Sequence, residues 1–275
     1  MRYVLTIVVV VAACDRAPHR YSPAAAAPDS SVLAPDGSAV PGGELGRSIR
    51  RGHAILAATR DSLPSHVGST LRCTSCHLGD GRQKDAIPLT GVYARFPQYR
   101  SRAAMVQRLE DRINDCFLRS LNGSALAFDD SAMRDIVVYL AFISRGVAVG
   151  DSESGPPGGP AAGDAVAGAQ VFRSQCARCH GANGAGMTPF PPLWGSKSFN
   201  IGAGMARIRT AAEFIRHNMP QDRAGTLNDL DALNVAAYIT SRPRPDFAGK
   251  ARDWPRGDAP PDAPYATLAG KQPPN

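Results

Sequence analysis

The sequence predicts an all-α protein made of two similar helical domains in tandem, and three observations support this. The pattern Cys-x-x-Cys-His occurs twice, at residues 73–77 and 176–180. Each copy is followed by a loop containing proline and then by a helix with an apolar stripe. Residues 150–163, rich in Gly and Pro, form a linker without core-forming residues. A chain of 275 residues is long enough for two modest domains.

The N-terminus predicts an exported protein. Arg2 precedes an apolar run at 4–11 and then small residues, so residues 1–13 are predicted to be a secretory signal peptide that is too short to span a membrane. Residues 11–14 resemble a bacterial lipobox, which predicts acylation of Cys14; the alternative is an ordinary signal peptide with a chance cysteine. Residues 14–43 are predicted to be a disordered tether. This arrangement predicts lipid anchoring on the periplasmic side of a bacterial membrane.

Both pentapeptides predict covalent attachment of haem c. In this pattern two thiols form thioethers with the porphyrin, and the following histidine becomes an axial ligand of iron. A bare Cys-x-x-Cys would also fit a redox disulfide or half a zinc site, but a histidine in both copies disfavours those interpretations. Each half is therefore predicted to be a class I cytochrome c domain, at 44–149 and 164–245, with a C-terminal tail at 246–275. The predicted haem residues are Cys73, Cys76 and His77 in the first domain and Cys176, Cys179 and His180 in the second.

Helical spacing of apolar residues predicts the elements around each motif. We expect helices at 44–61 and 129–144 in the first half, and at 165–173 and 230–240 in the second. Pro88 and Pro192 lie at similar distances after their motifs and are predicted to supply the carbonyl that orients the axial imidazole. Residues 210–213 have the form of a capping box, which predicts a helix start there. Phe247 and Trp254 are predicted to pin the tail to the body.

The two halves differ where the sixth iron ligand is expected. Met219 lies 39 residues after His180 (219 − 180) and precedes a proline, which suits a distal methionine. The same count from His77 reaches Cys116 (77 + 39). A thiolate ligand favours Fe(III), so this haem is expected to have a much lower potential than the His/Met haem. Cys116 is also open to interpretation as a small buried apolar side chain. The competing ligands are Met105, Met133, His53 and His66 for the first haem and Met187 and Met205 for the second.

The charge distribution predicts an anion site near Cys116. The formal net charge of the chain is +7, which favours anionic substrates or acidic partners, and nothing resembles a nucleic-acid-binding module. Residues 95–119 contain six arginines and three acidic residues. If this segment is helical, Arg112, Cys116 and Ser120 share one face at i, i+4 and i+8, with Arg119 beside them.

Residues 73–78, 99–102 and above all 112–123 are similar to segments of the thiosulfate dehydrogenase family, dihaem cytochromes c that couple two thiosulfates into tetrathionate. The resemblance covers about residues 44–245. It implies two covalently bound haem c groups, and it implies that Cys116 is the distal ligand of the active-site haem. Some members place a lysine beside the distal methionine of the second haem, where this chain has Asn218. The substrate-binding residues that it implies are Arg102, Arg119 and Ser120, together with Arg100 and Arg112.

The family mechanism places the cysteine in a persulfide-type adduct with one thiosulfate, and a second thiosulfate then releases tetrathionate. Electrons would leave to an external cytochrome c or a terminal oxidase. Two alternatives stay open. One is a non-enzymatic, membrane-tethered dihaem electron-transfer cytochrome. The other is a different sulfur-handling cytochrome, such as a carrier that couples thiosulfate to a protein thiol or the same site run as a tetrathionate reductase.

Overall fold

The computed structural model describes residues 33–147, 159 and 162–269. The predicted signal peptide, Cys14 and most of the tether and linker lie outside these residues. None of the helices in the described part of the chain is long and apolar enough to cross a bilayer. The nine α-helices of the described residues are α1 (Gly43–Ala57), α2 (Thr59–Ser62), α3 (Val92–Arg95), α4 (Leu109–Asp115), α5 (Ser131–Phe142), α6 (Ala165–Val171), α7 (Ala177–His180), α8 (Ile208–Asn218) and α9 (Asp229–Thr240).

Short turns of other helix types complete the secondary structure. Two π-helical turns follow α4 and α6, at Cys116–Ser120 and Phe172–Cys176. The 3₁₀ turns are Pro64–His66, Cys73–Ser75, Gly204–Ala206, Gln221–Arg223 and Lys250–Arg252.

Each half is built on the same pair of crossing helices, and a glycine makes each crossing possible. A Cβ added to Gly52 of α1 would lie 2.1 Å from the Asp135 carbonyl oxygen of α5. A Cβ added to Gly168 of α6 would lie 1.9 Å from the Asn234 carbonyl oxygen of α9. No larger residue fits at either crossing. Both halves therefore pack an N-terminal helix closely against a C-terminal helix at a glycine, which is one packing arrangement used twice. The predicted fold class, two tandem helical domains of one type, is confirmed.

The core of the first domain extends further towards the N-terminus than its predicted boundary. Ile49 of α1 and Tyr139 of α5 are buried at its centre. Ala34 is buried in the same cluster, and Arg82 Nη1 donates to the Leu33 carbonyl oxygen at 3.3 Å. The described end of the predicted tether, residues 33–42, is therefore packed against the first domain.

Two local features differ from the sequence prediction. A hairpin of β1 (Gln98–Arg100) and β2 (Met105–Gln107) precedes α4, with Gln98 paired to Gln107. Helix α8 begins at Ile208, so the predicted start at the capping box of residues 210–213 is wrong. The reason is a distant cap, because Asp262 accepts from the Arg209 backbone N–H at 3.1 Å and pairs with Arg207 at 2.7 Å.

The two domains are in direct contact through the loop at 197–206. Phe199, Ala203 and Ala206 of this loop belong to the apolar core of the first domain. Asn200 Nδ2 donates to the Leu118 carbonyl oxygen at 2.8 Å, and the Asn200 N–H donates to the Arg119 carbonyl oxygen at 3.1 Å. The second domain is therefore packed against the π-helical turn that begins at Cys116.

Candidate active site

The first Cys-x-x-Cys-His motif presents an imidazole ready to bind iron. The Nδ1 atom of His77 lies 2.5 Å from the Ile87 carbonyl oxygen, which can only accept, so Nδ1 carries the proton and Nε2 is left as the donor atom. Burial lowers the pKa of His77 to about 4, which keeps the ring neutral as metal ligation requires. The Cys73 and Cys76 thiols are free of disulfide bonds, as thioether formation requires.

The second motif has the same geometry. His180 ends α7, and its Nδ1 atom lies 2.8 Å from the Pro191 carbonyl oxygen. Burial lowers the pKa of His180 and favours the neutral ring. Cys176 and Cys179 are also free thiols. Paired thiols and an oriented imidazole in both motifs fit covalently attached haem.

The carbonyl groups that orient the two imidazoles lie one residue earlier than predicted. The acceptors belong to Ile87 and Pro191, whereas the sequence predicted the carbonyls of Pro88 and Pro192. Each acceptor is the carbonyl that forms the amide bond to the predicted proline nitrogen. The proline ring fixes the backbone beside that bond, so proline marks the place without supplying the oxygen.

Cys116 lies next to the first motif and against a guanidinium group. Arg112 Nη1 donates to Cys116 Sγ at 3.0 Å, as the predicted i, i+4 spacing requires. The charge of Cys116 raises the pKa of Arg112. Burial raises the pKa of Cys76 to about 12, and repulsion from a charged Cys116 adds to this. The Cys116 sulfur is therefore near enough to both thiols of the first motif to interact with them electrostatically.

The helix carrying Cys116 changes its hydrogen-bonding pattern at this residue. Helix α4 ends at Asp115, and the Leu121 N–H donates to the Cys116 carbonyl oxygen at 2.9 Å in a π-helical turn. Single π-helical turns are uncommon and are often found at functional sites. Ser120 ends this turn, so it is not presented by the regular α-helical face that the sequence predicted.

Arg100 and Arg112 form the positively charged part of the site around Cys116. Burial lowers the pKa of Arg100, and repulsion from Arg112 adds to the effect. Arg100 Nη1 donates to the neutral side chain of Gln98 at 3.3 Å. Charge therefore accumulates near the thiol, where an anion would reduce the repulsion between the two guanidinium groups.

Arg119 and Arg102, also predicted to bind substrate, are engaged by the C-terminal tail in this structure. Arg119 Nη1 and Nη2 donate to the two carboxylate oxygens of Asp253 at 2.7 and 2.8 Å. Burial alone would lower the pKa of Arg119, but the pairing with Asp253 outweighs it and the net shift is upward. Arg102 Nε lies 3.9 Å from Asp253, and burial lowers its pKa to about 10. The Arg119 guanidinium group therefore already makes a bidentate hydrogen bond to a carboxylate of the protein.

Aromatic residues of the tail cover the same two arginines. The guanidinium carbon of Arg102 lies 4.4 Å from the centroid of the Trp254 ring, and that of Arg119 lies 4.2 Å from the Phe247 ring. Tyr265 donates to Asp253 at 2.5 Å. Sequence reasoning expected the two aromatic anchors but missed Asp253 and Tyr265. Their only signal was an aspartate directly before the anchoring Trp254.

Met219 follows α8 and is half-buried between the two domains. It packs against the second-domain core and against a small cluster formed by Leu78, Ala86 and Phe214. The neighbouring Asn218 side chain makes hydrogen bonds to Gln83 and Asp85 of the first domain. The amide that stands where some relatives have a lysine is therefore fully engaged.

Known proteins resemble this chain over most of its length. The model of the SoxA/TsdA cytochrome c domain matches residues 67–149, and that of cbb3-type cytochrome c oxidase subunit III matches residues 163–239. The thiosulfate dehydrogenase of Allochromatium vinosum is 43% identical over 80% of this chain and 87% of its own. That of Psychrobacter arcticus is 40% identical over 84% of this chain and 74% of its own. The chain belongs to the thiosulfate dehydrogenase family.

A solved structure agrees with this assignment. The thiosulfate dehydrogenase TsdBA from Marichromatium purpuratum in its "as isolated" form superposes with a TM-score of 0.74 at 33% identity, covering 84% of this chain. The present chain spans 54% of the length of that protein. As a member of the thiosulfate dehydrogenase family with two cytochrome c domains, the chain is an oxidoreductase that carries two covalently bound haem c groups.

Proposed function

We propose that this chain couples two thiosulfate ions into tetrathionate, with Cys116 as the reacting sulfur at the first haem. The observation that carries the proposal is the 3.0 Å contact of Arg112 with Cys116 beside the first haem motif. The two curated relatives described above are both named thiosulfate dehydrogenase, which supports this substrate.

Arg112 and Arg100 have a clear electrostatic task in this reaction. Two dianions held about 4 Å apart repel by roughly 4 kcal/mol even in water, and by more in a pocket. Guanidinium groups offset this repulsion, and their planar forks match the oxygens of a sulfonate group. Ser120, at the end of the π-helical turn, is the proposed hydroxyl donor to substrate. For Arg119 and Arg102 we propose a more remote electrostatic role, because Asp253 already engages them.

The chemistry balances in two steps. The Cys116 thiolate joins the outer sulfur of one thiosulfate, forming Cys–S–S–SO₃⁻ and releasing two electrons. The outer sulfur of a second thiosulfate attacks the sulfur that links Cys116 Sγ to the sulfonate group, so that the S–S bond to Sγ breaks, tetrathionate leaves and the Cys116 thiolate is regenerated. Bound haem supplies one-electron acceptors, and two such groups match the two electrons released.

Cys116 and Met219 are the proposed sixth ligands of the first and second iron. At the first site the competing side chains have other environments: Met133 is fully buried in the core, Met105 is exposed, and His66 Nδ1 lies 3.2 Å from the Ser124 carbonyl oxygen. His53 lies 3.3 Å from Asp80. At the second site Met187 is exposed, and Met205 packs against the apolar clusters of both domains. A thiolate at one iron and a thioether at the other would give the second haem the higher potential.

The same proposal includes the route by which electrons leave the protein. Electrons would pass from the second haem to an external cytochrome c or a terminal oxidase. Acylated Cys14 would hold the enzyme on the periplasmic side of a bacterial membrane, and the purified chain carrying Cys14→Ser would then lose its bound lipid in mass spectrometry.

Substitutions of Cys116 test the central step. Cys116→Gly and Cys116→Met should both retain two haems, measured by haem content, and both should lose thiosulfate oxidation. Cys116→Met should also raise the potential of the first haem, because a thioether replaces a thiolate. Arg108→Gln, at an exposed arginine before α4, is the matched control and should stay active. Unchanged thiosulfate oxidation by Cys116→Gly with both haems present would exclude the mechanism, whereas a holoprotein with Cys116 intact that does not react with thiosulfate would favour a simple electron-transfer cytochrome.

A further inference from the structure

Asn218, the last residue of α8, is a buried polar side chain between the two domains. Its exposed fraction is 1%. A primary amide has two N–H donors and a carbonyl oxygen, and burial without partners for these groups is unfavourable. The hydrogen-bond partners of the Asn218 side chain therefore show which groups make its burial favourable.

Two of the three hydrogen bonds made by the Asn218 side chain cross the domain boundary. Its Nδ2 atom donates to the Asp85 carbonyl oxygen at 2.7 Å, and its Oδ1 atom accepts from Gln83 Nε2 at 2.8 Å. The third bond, from Nδ2 to the Phe214 carbonyl oxygen at 3.0 Å, holds the amide on its own helix. Every hydrogen-bonding group of this amide is in use.

The segments joined by these bonds lie beside the proposed iron ligands of the two haems. Gln83 and Asp85 belong to the loop between His77 and Ile87, whose carbonyl oxygen fixes the His77 ring. Asn218 directly precedes Met219. Apolar contacts reinforce the junction, because Leu78 and Ala86 of the first domain pack with Phe214, while Ile87 and Met219 flank the same cluster.

We propose that Asn218 and Gln83 form an interdomain clamp, in which Asn218 is a positioning residue that holds the Met219 loop against the loop carrying the Ile87 carbonyl. The inference rests on the proposed role of Met219 as an iron ligand. The clamp fixes the distal side of the second haem site relative to the proximal side of the first. A disturbance of either loop is thereby transmitted to the other.

Hydrogen exchange of the full-length holoprotein tests the clamp through its reciprocity. Asn218→Ala should accelerate hydrogen exchange not only at 214–219 but also at 83–87. Gln83→Ala should likewise accelerate exchange both at 83–87 and at 214–219. We expect an increase of about ten-fold in the partner segment, as for the loss of one or two part-buried hydrogen bonds. Gln83 is an exposed residue, so its truncation leaves the cores intact. Gln221→Ala, at an exposed position two residues after Met219, is the matched control and should alter neither distant segment.

Spectroscopy separates the clamp from the ligand assignment. In oxidised Asn218→Ala, the methionine-to-iron charge-transfer band should weaken or become heterogeneous, and the midpoint potential of the second haem should shift. Exchange changes confined to the mutated segment in both variants would overturn the clamp. A Met219→Ala variant that keeps the band would refute Met219 as a ligand, whereas the reciprocal exchange tests the link between the loops by itself.

Discussion

Replacing Asp253 by alanine removes the carboxylate around which the C-terminal tail is attached to the first domain. Asp253 accepts two hydrogen bonds from Arg119 and one from Tyr265. Its side chain is 6% exposed and that of Arg119 is 12% exposed, so the pair is nearly removed from water. After the substitution Arg119 keeps only the 3.4 Å contact of its Nε atom with Asp115 among the described ion pairs.

The expected effect is large because the surviving charge is left without its partner. Removing one member of a buried ion pair costs about 3–5 kcal/mol. At roughly 1.4 kcal/mol for each factor of ten, a loss of about 3 kcal/mol would increase local opening of the tail by about 150-fold. Asp253→Asn keeps one oxygen acceptor and should lie between the wild type and Asp253→Ala.

The assay is hydrogen exchange of residues 247–268 in the full-length holoprotein, supported by limited proteolysis. Asp258→Ala, at an exposed position of the same tail, is the control and should leave exchange unchanged. If exchange in Asp253→Ala stayed within about two-fold of the wild type, the reasoning would be refuted. Stacking of Trp254 and Phe247, and not the ion pair, would then hold the tail.

A further outcome follows from helix packing. Gly168→Ala should lower the free energy of unfolding of the second domain by at least about 2 kcal/mol, since the new Cβ would meet the Asn234 carbonyl oxygen at 1.9 Å. Denaturant unfolding beside Gly204→Ala, where nothing lies within 4 Å, checks this, and equal midpoints would contradict it.

The tandem fold was predictable because its determinants are local and repeated. The Cys-x-x-Cys-His motif, the closing helices and the contact between Arg112 and Cys116 depend on residues close together in the chain. The acceptor carbonyls at Ile87 and Pro191 show the limit of this reasoning. Spacing located the prolines, but the side of the proline that carries the oxygen depends on backbone geometry.

The partners of Arg119 and Arg207 could not be read from the sequence. Asp253 is 134 residues from Arg119, and Asp262 is 55 residues from Arg207. Neither aspartate belongs to a periodic pattern, because the tail that carries them has little regular structure. Pairing across such distances is decided by how the domains pack, and a tail rich in Pro, Asp and Gly gives no indication of that packing.

The tail also divides the arginines of the first domain into two electrostatic groups. Arg119 pairs with the Asp253 carboxylate at 2.7 Å, so its charge is largely balanced inside the protein, and Arg102 lies 3.9 Å from the same carboxylate. Arg112 contacts Cys116, and Arg100 bonds only to a neutral glutamine side chain among its described hydrogen bonds. The Asp115 carboxylate interacts with both electrostatically, but its hydrogen bonds go to Arg119 and Gln107. A dianion gains most where guanidinium charge is not already balanced by a carboxylate. The C-terminal tail contacts both domains, because Asp253 pairs with Arg119 and Asp262 pairs with Arg207. We therefore expect thiosulfate to bind on the other side of Cys116, next to Arg100 and Arg112.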